Sequence, residues 1–385
     1  MRNLKIISAG LILVLAVIAC GLPAPVPTPT VTPLPPTVTS PPTATVPVLP
    51  VFPSPNITSI DMLDTNNGWA ISQTAALRTT DGGNTWKNVT PEGLSDLGYS
   101  ADYFFLNAAT GWIALMGTDP TNGTLYHTND GGISWTSTAV PFGGGSLYFV
   151  DPMIGWDLTG LGAGMSHEAV AVFTTSDGGN TWTRVFTDDP TLPGSSDSLP
   201  FVGDKTGISA VDTSHAWVTG AEPVTNFIYI YATQDGGQDW AQQDVPVPAG
   251  FTDAMTNAIP PVFFGGNEGV LPVTLIGNTN AIAFYLSHDG GQTWAASQLV
   301  PQGGFTSVAS QSDFFVWDGG TTLYASHDAG TSWSTVSPNV DLHDTLVSFQ
   351  FVDATSGWAL TSDVSGHHSL YETTDVGVTW NVLIP

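Results

Sequence analysis

Short stretches in which apolar and polar side chains alternate, each closed by Gly, Asn, Asp or Ser, recur from residue 57 to the end of this chain. Ile60-Asp61-Met62-Leu63-Asp64 before Gly68-Trp69, Tyr103 to Leu106 before Gly111-Trp112, and Phe349 to Asp353 before Gly357-Trp358 are clear examples. Gly155-Trp156, Ala216-Trp217, Gly269-Val270 and the run Asp313 to Trp317 occupy equivalent places. A period of two sends successive side chains to opposite faces of an extended backbone, so these runs predict strands. Nothing beyond residue 56 has the length or the 3.6-residue period of a helix.

Between the strand pairs stands a second repeat, an Asp, a Gly two residues on and a Trp three residues after that. The copies are Asp81-Gly83-Trp86, Asp130-Gly132-Trp135, Asp177-Gly179-Trp182, Asp235-Gly237-Trp240, Asp289-Gly291-Trp294, Asp328-Gly330-Trp333 and Asp375-Gly377-Trp380. Successive Asp residues lie 49, 47, 58, 54, 39 and 47 positions apart, the period of a propeller blade. A short carboxylate can accept the unpaired N–H groups of a tight turn while Gly supplies positive φ. The Trp then opens the outgoing strand and can bury its ring against a neighbouring unit. Ala329 and Val376 stand where the other copies have a first Gly, so only the second Gly is read as obligatory. The expected fold is all-β: a single seven-bladed propeller of four-stranded antiparallel blades over 57–385.

These residues resemble the Asp-box, or BNR, repeat propellers, and the strand-plus-Gly-Trp spacing is similar to the branch containing the photosystem II stability and assembly factors. The resemblance covers residues 57–385. It implies the fold firmly and leaves activity open, because sialidases, xyloglucan hydrolases, sortilin-type receptors and assembly factors share such propellers.

The N-terminus changes the picture of location. Arg2 and Lys5 precede an apolar run from Ile6 to Ala19, and Val17-Ile18-Ala19-Cys20-Gly21 resembles a bacterial lipobox. The run is shorter than the roughly 20 residues a spanning helix needs, so residues 1–20 read as a secretory signal with lipidation at Cys20. Cys20 is the only cysteine, which excludes disulfides and thiolate metal sites. Residues 21–56 are rich in Pro and Thr and predict an extended linker. The expected place is the extracytoplasmic face of a membrane, with the head lipid-anchored and monomeric.

The formal charge is −27. Beyond the signal only Arg78, Lys87, Arg184 and Lys205 are basic, against 33 acidic residues. No clustered basic footprint exists for nucleic acid. In a four-stranded blade, one face carries the constant boxes and the short turns between first and second strands; the other carries the variable connections. Loops that vary on a rigid scaffold are where recognition is expected, and there lie the candidate binding residues His167, Glu168, Asp188, Asp189, Glu222, His343, Asp344 and His367. Their spacing forms no metal signature. No cofactor is expected, although so acidic a head is compatible with a divalent cation such as calcium. No catalytic residue is assigned.

Three Arg clamp the substrate carboxylate in sialidases, as the resemblance implies, and the mature chain has two. A carboxylate-pair glycoside hydrolase remains the alternative. The residues favour a non-enzymatic scaffold for an envelope protein or a glycan. The basic working surface that the assembly factors display is missing here.

Overall fold

The computed structural model describes residues 49–97, 101–165 and 167–385; the signal segment, Cys20 and the Pro/Thr-rich stretch to residue 48 lie outside them. All regular structure among the described residues is β, and all pairing between named strands is antiparallel. The first sheet shows the plan. Ile57–Met62 pairs with Gly68–Ser72, which pairs with Ala76–Thr79, which pairs with Lys87–Asn88. Sheets of the same order run over 102–140, 145–187, 305–336 and 346–384. A nine-stranded sheet fills residues 204–296. It consists of two meanders, 204–242 and 255–296, joined through one residue pair, Ala221 with Asn257. In the second meander Met255–Ala258 and Val262–Phe264 both pair with Glu268–Ile276. Four-stranded antiparallel units in series are the pattern of a β-propeller.

The sheets pack face to face through the Gly-Trp strands. Trp69, Trp112, Trp156 and Trp358 are wholly buried, and Trp217 nearly so. Each indole N–H also reaches the next unit: Trp69 donates to Asn107 O, Trp112 to Gly178 O, Trp156 to Asp212 O and Trp217 to Gly291 O. Trp358, in the last sheet, donates to Gly82 O of the first at 2.9 Å. Gln350 adds two bonds across the same seam, accepting from Met62 N–H and donating to Met62 O. One apolar cluster then unites Ile57, Met62, Leu77 and Trp86 with Trp358, Leu360, Leu370 and Ile384. First and last sheets are therefore neighbours, although neither contains a strand of the other.

Three expectations shift. Residues 50–52, assigned to the linker, lie along the outer strand of the first sheet: Val51 bridges Lys87, Phe52 N–H donates to Trp86 O and Asn88 N–H to Pro50 O. The first box position is also left-handed, with φ of 73–79° at its five glycines and 57° and 66° at Ala329 and Val376, so those two residues carry strain rather than mark a permissive site. The second Gly is obligatory for another reason besides φ. A Cβ at Gly132 would stand 2.6 Å from Val89 Cβ, and one at Gly291 would stand 2.5 Å from the Trp217 ring. Finally, box tryptophans are not uniformly buried. Trp86, Trp240, Trp294 and Trp380 are, whereas Trp135, Trp182 and Trp333 are only half-buried.

Candidate functional site

The boxes build closely similar turns, the fourth lacking the second hydroxyl because Asp239 takes its place. Asp81 Oδ1 accepts from Thr85 N–H at 2.8 Å and from the Thr79 hydroxyl at 2.9 Å, while Oδ2 accepts from the Thr85 hydroxyl. Thr79 in turn accepts from Gly83 N–H. The residue two before the Asp plays this part in all seven copies, as Thr79, Thr128, Thr175, Thr233, Ser287, Ser326 and Thr373, with N···O distances of 2.7–3.1 Å. Sequence reasoning passed over this hydroxyl, although a Ser or Thr at that position in every copy was its signal. The Thr293 hydroxyl and N–H hold Asp289 down at about 2. The first N–H after each box Asp donates to the short turn of its own sheet, as Gly82 to Asn66 O and Val376 to Thr355 O. Boxes and short turns thus lock into one face and leave little free backbone there.

The opposite face holds the candidate residues, and the structure sorts them into separate groups. Glu168 and Asp188 come together around Lys205. Its Nζ lies 3.6 Å from Asp188 Oδ2 with both side chains 1 % exposed. It also donates to Glu168 O, Pro200 O and Gly203 O. Asp188 further accepts from Val170 N–H. Burial pushes Lys205 down and Asp188 up, each opposed by the other's charge. Asp188 is therefore no solvated loop carboxylate; it is committed to holding the long connection 188–203 against the hairpin. His167 and Glu168 are not in a loop either. Gly155–Gly164 and His167–Thr175 extend the second hairpin of their sheet beyond its neighbours, with Gly164 opposite His167. The glycines left this stretch without an alternating apolar signal, which is why it read as loop. Glu168, Lys205, Ser146 and Gly160 line a depression of about 340 Å3 at the foot of that hairpin. Asp189 is half-exposed and accepts from Thr191; Glu222 opens the connection that follows Ala216–Ala221.

His343 and Asp344 belong to a second place. With Asp318, Asp341, Gln302 and Thr321 they line a groove of about 630 Å3 between the sheets at 305–336 and 346–384. Its floor is set by Leu342 N–H donating to Gly319 O, and His343 Nδ1 lies 3.6 Å from Asp318 Oδ2. Gln302 Nε2 is buried there without a hydrogen-bond partner. His367 stands apart on the hairpin turn 363–367, where Asp363 accepts from its N–H. Among the described residues no three His, Cys, Asp or Glu side chains are grouped as metal ligands.

A set of carboxyl groups that the sequence reading did not single out lies on the inner and second strands. Burial lifts Asp61 to about 6, opposed by a hydrogen bond from Gln350, and lifts Asp102 to about 7 against hydrogen bonds from Leu147 and Tyr103 N–H. Asp157, wholly buried, is pushed well above the ordinary range by desolvation and by Asp102. Its Oδ2 has no partner. Trp317, the one tryptophan outside both repeats, is wholly buried and stacks on Trp380 at 5.1 Å, which makes it a packing residue.

Repeated four-stranded units, carboxylate-capped turns and Gly-Trp staples define a BNR-type β-propeller. This one resembles the photosystem II assembly factors. Residues 48–189 match the family model described as photosynthesis system II assembly factor YCF48. Photosystem II assembly lipoprotein Ycf48 of Synechococcus sp. (strain CC9902) is 28 % identical over 208 residues, 52 % of this chain and 53 % of that protein, so the match spans about half the length of that relative. Among solved structures, YCF48 bound to a D1 peptide aligns with a TM-score of 0.52 at 19 % identity, over 85 % of this chain and 95 % of that one. The GH74 xyloglucanase from Xanthomonas campestris aligns with a TM-score of 0.57 at 14 % identity, over 87 % and 55 %. At these identities both structural likenesses describe the fold.

Proposed function

We propose that this chain is a seven-bladed, lipid-anchored scaffold on the extracytoplasmic face of a membrane, monomeric, which holds a segment of an envelope protein, or a glycan, on its variable-loop face. The nine-stranded sheet counts as two blades in this reading, and Cys20 is the lipid attachment point. The observation that carries the proposal is the contrast between faces: one consumed by seven interlocked turns, the other presenting the groove around His343, the Glu168 depression and an extended hairpin. The likeness to a YCF48 that binds a D1 peptide supports a protein segment as occupant. The chain's net charge of −27 leaves it without the basic surface that the family resemblance implies, which favours a partner of different charge.

Photo-crosslinkers placed at Thr321 on the variable face and Asn84 on the box face of the full-length protein in native membranes test this. Adducts to a partner from Thr321 alone are the expected result, and equal labelling from Asn84 would displace the reading. Cys20→Ser should release the head into the soluble fraction. Turnover of sialosides or β-glucans, with or without calcium, that disappears in Glu168→Gln would replace the scaffold by a hydrolase.

A further inference from the structure

Four large apolar side chains stand in solvent at one part of the variable face. Met255 and Ile276 form a cross-strand pair and are 44 % and 41 % exposed; Phe305 and Val347 are 40 % and 39 % exposed. Met255, Phe305 and Val347 sit at the entries of successive inner strands, and Ile276 ends the second strand beside Met255. They therefore follow one another along the central mouth of that face. Phe305 pairs with Trp317, next to Asp318, and Val347 follows Thr345 by two residues, so the row borders the groove of His343. Exposed apolar side chains at the same end of three consecutive sheets offer a partner surface to cover.

Charge decides what fits it. Residues 206–385 contain seventeen Asp or Glu and no Lys or Arg. The four basic residues of the head lie elsewhere: Arg78 and Lys87 on the first sheet, Arg184 on the third, and Lys205 buried in its ion pair. Asp318, Asp341 and Asp344 line the groove beside the row. A field of one sign speeds the approach of opposite charge and rejects like charge.

Resting on the scaffold reading above, we propose that this mouth and groove receive an extended peptide segment of the partner protein in which Lys or Arg alternates with apolar residues. The apolar side chains cover Met255, Phe305 and Val347, while the cationic ones lie against Asp318, Asp341 and Asp344.

The test uses full-length protein in detergent micelles and three short synthetic peptides of equal apolar content, bearing Lys, Ser or Glu at alternate positions, followed by fluorescence anisotropy. The Lys peptide should bind about tenfold or more tighter than the Ser peptide, the Glu peptide should not bind, and added salt should weaken the Lys complex. The triple variant D318N/D341N/D344N and, separately, Phe305→Ser should each reduce Lys-peptide affinity, with unchanged melting curves showing that both remain folded. Equal binding of all three peptides, no binding of any, or indifference to both variants would overturn the inference. A Thr321 crosslink to a partner lacking a basic segment would overturn it too, while leaving the scaffold reading standing.

Discussion

At the residue scale, the box is a small machine made of an acid, a hydroxyl and a glycine. The sequence displayed the acid, the glycine and the Trp plainly, because each recurs seven times. It hid the hydroxyl's role because Ser and Thr are common on strands. Thr175→Val should cost about 1–3 kcal/mol, the penalty for leaving the buried Gly179 N–H without its acceptor, measured by urea denaturation; Thr175→Ser should be nearly silent. Ala329→Gly should do the reverse. It removes a side chain held at positive φ, and the relief exceeds the added freedom of the unfolded chain, giving about 1 kcal/mol of stabilisation. An unchanged midpoint for Ala329→Gly would show that the turn there carries no strain.

At the element scale, the stabilising contact is the Gly-Trp strand packed on the next sheet. Trp156 is wholly buried and gives its N–H to Asp212 O, whereas Trp182 is half-exposed, edge-on to Phe142 and Phe149. Trp156→Ala should therefore cost about 3–5 kcal/mol and Trp182→Ala distinctly less, and chemical denaturation of the two variants side by side checks the order. Strand existence was legible from alternation and from Gly and Asp punctuation. The extension of the 155–175 hairpin over residues 159–168 was not, because its glycines carry no apolar period and its pairing is a backbone matter. The site was legible only as a face. That Asp188 turns inward to Lys205 depends on a partner seventeen residues away meeting it across a long connection, a contact that composition does not record.

At the scale of the whole molecule, two carboxyl populations work against each other. A carboxyl raised by burial holds its proton more tightly in the folded chain than at its ordinary value of 3.8; its contribution is complete below that value and is lost as pH rises through about 6 for Asp61 and about 7 for Asp102. The box aspartates are held low, so theirs is present above 3.8 and is lost as pH falls, for Asp289 toward about 2. Thermal stability should thus peak near about pH 4, where the box aspartates are already ionised and the buried carboxyls have only begun to lose their advantage, and should fall on either side. Asp157→Asn should raise the melting temperature at mildly alkaline pH and change it little at acid pH. A parallel shift at both would place Asp157 outside this balance. The joint between first and last sheets has a different consequence. Because no sheet among the described residues borrows a strand from the far end of the chain, and Phe52 lies beside Ile384 and Pro385, the unit at which the gene begins the series is arbitrary. Linking those two ends and cutting at another box turn should yield a circular permutant that closes the same way.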